Sequence, residues 1–232
     1  MRSSTLRSGL DFLHHHRAFA AASTLGIALL IARLALTWRS VYWFYVWNLF
    51  LAWLPLLFAT LSIRAARQAR PVATWSYALL WILFFPNAPY LVTDLTHWHP
   101  RPPVSQWFDL LLCVHFAWLG LSLGFASLRL LEAEISERHG QRAGWGFVVF
   151  TLSLASFGVY LGRIGRWNSW DILVQPFRLS TDIVRQIVHP VVHLRTWEFT
   201  LVGGLFLLCA YWVGAAGGPM PITAHARRNF SS

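Results

Sequence analysis

Apolar residues in this 232-residue chain gather into six long runs separated by short polar segments. The runs cover Ala18–Leu36, Val41–Ile63, Val72–Val92, Trp107–Leu131, Gly144–Leu161 and Trp197–Gly214. Most reach the roughly 20 residues that a helix needs to cross about 30 Å of hydrocarbon; the fifth is shorter and is expected to continue to Arg163. At this length, backbone inside lipid can satisfy its own hydrogen bonds only as helix. The pattern predicts an all-α fold, a polytopic bundle of six spanning helices that forms a single integral membrane domain over residues 1–232.

Between the fifth and sixth runs the period changes. After Ser180, Thr181 and Asp182, the apolar residues Ile183, Val184, Ile187, Val188, Val191 and Val192 recur at helical spacing, with Arg185, His189 and His193 on the other side. This stripe predicts an amphipathic helix near 181–195, kinked at Pro190 and lying in the headgroup plane. A re-entrant hairpin is the rival reading of the same segment.

Composition supports the membrane reading. Apolar residues make up 56% of the chain and charged residues 12%, with 14 Trp and 17 Phe, whereas a soluble domain carries about a quarter charged residues. The net charge of +10 comes entirely from arginines among the basic residues. They fall mainly between the apolar runs, where they set topology and meet anionic lipid headgroups. Membrane lipids are therefore the expected partners. Nucleic acid is not expected, because no basic stretch alternates with aromatics in a soluble module. Cys113 and Cys209 lie inside apolar runs and read as small buried hydrophobes.

The N-terminus has the basic-then-apolar order of a signal peptide, but its apolar run is long, contains Arg33 and lacks a small-x-small cleavage site. It is read as a retained first helix. With both termini in the cytoplasm, ten arginines lie inside: Arg2, Arg7, Arg17, Arg64, Arg67, Arg70, Arg138, Arg142, Arg227 and Arg228. Seven lie outside: Arg39, Arg101, Arg163, Arg166, Arg178, Arg185 and Arg195. Arg33 and Arg129 are left near helix ends, where they are expected to snorkel. The tally favours an inside N-terminus and an inside C-terminus.

That topology gathers the polar residues of the runs at one membrane face. Asn48 lies near the start of the second run, and Asn87, Tyr90 and Asp94 near the end of the third, followed by His97 and His99. Asp109 opens the fourth run, with His115 deeper. The fifth ends in Arg163, Arg166, Trp167, Asn168, Trp170 and Asp171. The runs PNAPYLVTDLTH and GRIGRWNSWD, with Asn48 and Asp109, resemble the bacterial family of multi-pass membrane proteins known as domain of unknown function 1361. The resemblance covers about residues 40–175 and implies the inner membrane of a bacterium, but no activity.

Several chemistries suit these residues. Asp94, Asp109 and Asp171 are candidate catalytic carboxylates. Asn48, Asn87, Tyr90, Arg163, Arg166, Trp167, Asn168 and Trp170 are candidate substrate contacts, with the two arginines clamping a phosphate or carboxylate and the tryptophans flanking a lipid chain. Asp94 with His97 and His99 offers a ligand set for a divalent metal, and His189 with His193 forms a second, Pro-distorted pair. Each also has a structural reading. Pro86 and Pro89 break the third helix, Asn48 and Asn87 join helices, the tryptophans form an interfacial belt, and the charges pair with one another. Three functions stay open: an enzyme acting on a lipid or lipid-linked substrate, a non-catalytic membrane scaffold or assembly factor, and a small-solute transporter or channel subunit.

Overall fold

A computed structural model describes residues 2–99, 103–167 and 169–216. It contains nine α-helices among those residues: α1 (Arg2–Thr37), α2 (Phe44–Arg67), α3 (Pro71–Phe84), α4 (Asn87–Thr93), α5 (Gln106–His139), α6 (Gln141–Arg163), α7 (Asp171–Val174), α8 (Pro176–Val188) and α9 (Leu194–Ala216). A 3-10 turn, Asp94–His97, follows α4. No strand occurs among the described residues. Six segments are long and apolar enough to span a membrane, with α3, α4 and the 3-10 turn counting as one. The chain is a multi-pass, all-α membrane protein.

The third span is not one helix. Proline has no N–H and its ring crowds the preceding turn, and Pro86 ends α3 at Phe84. The carbonyls released by the break are taken up by side chains: Asn87 Nδ2 donates to Phe84 O at 2.9 Å and Ser169 Oγ to Leu83 O at 3.4 Å. The same Asn87 nitrogen also donates to Ser169 Oγ at 2.9 Å, so the break is stitched to the loop after α6.

Several boundaries differ from the sequence pattern, among them the start of α1, at Arg2 rather than Ala18. α5 continues past Leu131 to His139, because Glu and Arg propagate a helix as well as Leu does and Glu134 pairs with Arg138 one turn on. It stops at Gly140, whose φ of 90° suits glycine. The amphipathic segment forms a helix, but over Pro176–Val188 rather than 181–195. Pro176 suits its first turn, and the residue before Pro190 resists helical geometry. Val191 and Val192 therefore lie in a turn leading to α9, and the kinked helix does not form. Phe177, Val184, Ile187 and Val188 on α8 are all exposed, as they would be against lipid.

α5 is the central helix, packed by α1, α2, α4 and α6, while α9 packs on α6. The spans alternate in direction, which gives the bundle two poles. At one, Arg67 approaches Glu134 at 3.7 Å, Ser62 Oγ donates to Thr74 O at 3.1 Å and Tyr211 hydrogen-bonds Glu132. The other pole collects the end of α1, the start of α2, the α4 region, the start of α5 and the end of α6. Between the poles lie two apolar clusters, one around Tyr45, Leu91, Phe116 and Leu123, the other around Trp81, Phe85, Leu128 and Leu152.

Close approach of α4 to α5 depends on Gly120 and Gly124. A Cβ at Gly120 would stand 2.8 Å from the Ala88 carbonyl oxygen, and one at Gly124 2.8 Å from the Ala88 Cβ. Gly120→Val is therefore expected to lower stability by about 1–3 kcal/mol through overpacking. Gly146, on α6 with nothing within 4 Å of a built Cβ, should accept alanine with unchanged or raised stability. Thermal unfolding of the two variants in detergent checks the contrast.

Candidate functional site

A charge beside hydrocarbon is costly unless it is paired or wetted. Among the described residues the buried charged side chains are Arg33, Asp94, Asp109 and Asp171, and all belong to the pole formed by the ends of α1, α4 and α6. They divide between separate arrangements rather than one shared pocket.

The first joins α1 to α5. Arg33 Nε donates to Asp109 Oδ1 at 2.5 Å and Arg33 Nη2 to Asp109 Oδ2 at 2.9 Å, with the two side chains 2% and 0% exposed. The planar guanidinium matches the carboxylate edge to edge. Its face lies over the Tyr42 ring, 4.6 Å from the centroid. This corrects the expectation that Arg33 snorkels to the surface. The opening of the fourth run with Asp109 was the available signal, since a carboxylate at that depth needs a cation from another helix.

The second joins α2, the 3-10 turn and α6. Asp94 is 1% exposed. Its Oδ2 accepts from Asn48 Nδ2 at 2.8 Å and its Oδ1 from Arg163 Nη1 at 3.2 Å. Tyr45 Oη lies at 3.5 Å from the Asp94 main-chain oxygen. The other edge of Arg163 faces outward: Nη2 donates to Thr96 Oγ1 and lies 3.3 and 3.4 Å from the two ring nitrogens of His97. His97 Nδ1 is 3.6 Å from Asp94 Oδ1, and the imidazole packs against Phe44. The guanidinium also approaches the Tyr90 ring at 5.8 Å. Arg163 is 19% exposed and His97 47%, so this arrangement reaches the surface.

The loop after α6 lies beside it. Trp167 Nε1 donates to Asp182 Oδ2 on α8 at 2.8 Å, tying the amphipathic helix down. Trp170 meets Trp47 edge to face at 6.1 Å, and both rings are partly exposed. Asp171 is buried at the start of α7. Asn168 lies outside the described residues.

The candidates therefore separate. Asn48, Asp94, Arg163, Tyr90 and His97 come together. Asn87 serves the α3 break, Asp109 is held by Arg33, and Trp167 anchors α8. Arg166 does not join a two-arginine clamp: it is exposed, adopts a left-handed backbone with φ of 58° and makes no ion pair with a described residue. Both oxygens of Asp94 and both of Asp109 are engaged, so neither carboxylate presents an edge to a substrate. Among the described residues no three His, Cys, Asp or Glu side chains converge as a metal-binding group. His99 is exposed beyond the 3-10 turn, and His189 and His193 lie in the turn before α9 rather than on one helix face. His115 Nε2 donates to Ala22 O at 2.9 Å and links α5 to α1.

A family model described as "Protein of unknown function (DUF1361)" matches residues 47–210. The matched stretch contains Asn48, Asp94, Asp109 and Arg163 but leaves Arg33 outside. No curated protein and no solved structure is significantly similar to the chain.

Removing one partner of a buried pair strands the other charge, at a cost of roughly 3–5 kcal/mol. Arg33→Ala and Asp109→Ala should each destabilise the chain by about that amount. The double replacement Arg33→Met with Asp109→Leu should recover most of the loss, because a packed apolar pair needs no compensation. Arg166→Ala should leave stability unchanged. Unfolding of the four variants in detergent measures these differences.

Proposed function

The chain belongs to the DUF1361 family of proteins of unknown function, and because membership brings no activity with it, we propose a function from the chemistry of the charged pole. The protein acts on a lipid or lipid-linked substrate with an anionic headgroup. Arg163 is the anion contact, and His97 exchanges a proton with the headgroup. Asp94 and Asn48 are positioning residues that hold Arg163 in place.

One observation carries this reading. The Arg163 guanidinium is anchored through one nitrogen to a carboxylate 1% exposed, yet is itself 19% exposed. Arginine has five N–H donors, and the contacts to Asp94, Thr96 and His97 occupy at most three of them. The donors left over sit at the end of a membrane span beside an exposed imidazole, where a phosphate or carboxylate supplies the matching acceptors. Trp47 and Trp170, in contact and partly exposed, supply the apolar wall that a lipid chain requires at an interface.

A conduit is less well supported than this site. The interior between the poles is filled by apolar clusters, and the buried charges among the described residues collect at one pole. A non-catalytic scaffold would keep the same anchors without turnover. The arginine tally further supports an orientation with both termini in the cytoplasm of a bacterium and the charged pole at the outer leaflet of its inner membrane.

Two experiments check the proposal. In vesicles made from a total bacterial lipid extract, the purified protein should alter one headgroup class detectable by mass spectrometry. Arg163→Lys keeps a charge opposite Asp94 but loses the planar fork, and His97→Gln removes the proton carrier. Each should fold, and the latter should reduce turnover about a hundredfold. Lipids left unchanged by the wild type would instead support the scaffold, and full rates in both variants would overturn the assignment of Arg163 and His97. For orientation, Ser105 and Gln68 are exposed at opposite poles. Ser105→Cys should react with an impermeant thiol reagent in intact cells and Gln68→Cys should not; the reverse pattern refutes the outer-leaflet assignment.

A further inference from the structure

Among the described residues, no other helix closes the face of α5 between α1 and α9. Here a furrow of about 950 Å³ opens sideways on the bundle. Its wall follows α5 from Val114 through Trp118 and Ala126 to Leu130, with Leu56 among the floor residues and Phe206 and Val213 on the α9 side. At 1.5 Å per residue, the stretch from Val114 to Leu130 is roughly 24 Å long, more than the half of a 30 Å hydrocarbon layer, about 15 Å, that one leaflet occupies. An extended acyl chain fits along it.

The furrow ends at a cation. Arg129 lines it and is exposed. The guanidinium stands over the Tyr211 ring, 5.7 Å from the centroid. Tyr211 is itself 1% exposed and is fixed by a hydrogen bond from its hydroxyl to Glu132. Arg129 has no carboxylate within ion-pair distance among the described residues, whereas the neighbouring Arg138 and Arg67 both reach Glu134. An exposed arginine that makes no direct ion pair with a described residue, meets Glu132 only through the Tyr211 hydroxyl and is continuous with an acyl-sized furrow is complementary to a lipid phosphate.

We propose that this furrow is a binding site for one anionic glycerophospholipid, its phosphate on Arg129 and an acyl chain along α5. The Arg129 end of the furrow lies toward the pole opposite the Asp94–Arg163 arrangement, although Val92 and Leu95, next to Asp94 in sequence, also line the furrow. An apolar furrow alone would accept any lipid; Arg129 makes the site selective for negative charge.

Native mass spectrometry of the detergent-purified protein, supplied with equal phosphatidylglycerol and phosphatidylcholine, tests it. The wild type should retain one phosphatidylglycerol in preference to phosphatidylcholine by about fivefold to tenfold, the scale of one lipid-facing basic residue. Arg129→Gln, at an exposed position, should abolish that preference, and Arg129→Lys should retain part of it. Ala126→Leu should weaken retention of both lipids by obstructing the furrow, and millimolar inorganic phosphate should not displace the bound lipid. Arg163→Lys should leave the preference intact, which separates this site from the proposed headgroup site. Equal retention of the two lipids by the wild type, an unchanged preference in Arg129→Gln, or displacement by inorganic phosphate alone would overturn the proposal.

Discussion

A carboxylate at the edge of hydrocarbon must be given a partner, and here that requirement organises one whole end of the bundle. Asp94 and Asp109 are both essentially inaccessible, and each recruits a guanidinium from a different helix. Asp109 takes Arg33 and so holds α1 to α5. Asp94 takes Arg163 and, with Asn48, holds α6, the broken third span and α2 together. Had the two arginines been shared in one pocket, α1 and the α4 region would compete for the same groups. Instead each carboxylate fixes a separate set of helices.

The two anchors are chemically unequal. Arg33 is held by bidentate contact, covered by Tyr42 and sealed from solvent. Its contribution is architectural. Arg163 meets Asp94 through one nitrogen and turns its remaining edge to Thr96, His97 and the surface. Asp94 sits in the 3-10 turn that ends the broken third span, with its Oδ1 3.2 Å from Arg163 Nη1 at the end of α6. The stitch from Asn87 to Ser169 holds the break and the post-α6 loop in register.

Much of this was legible in the residues. Six spans, the break at the proline pair and the collection of polar groups at one pole follow from apolar run length, missing N–H groups and strict alternation of direction. The limits of α8 were less legible, because the valine stripe continues past Pro190 and periodicity alone does not register the steric effect of proline on the residue before it. The pairing of charges was the least legible. Arg33, near the end of the first apolar run, and Arg166, just after the fifth, both look like interfacial arginines in the sequence, yet one is sealed against Asp109 and the other is exposed. What separates them is that Arg33 lies on a helix facing Asp109 while Arg166 lies in the loop after α6, which spacing within a single run does not encode.

The account turns on Arg163 being anchored inward and open outward, and a structure determined by electron cryo-microscopy in nanodiscs containing anionic lipid tests this most directly. The account predicts Arg33 against Asp109, Arg163 against Asp94, and a phosphate-sized feature against the outer edge of Arg163 next to His97. Arg163 enclosed on both edges by protein, or Asp94 and Asp109 sharing one arginine, would contradict it.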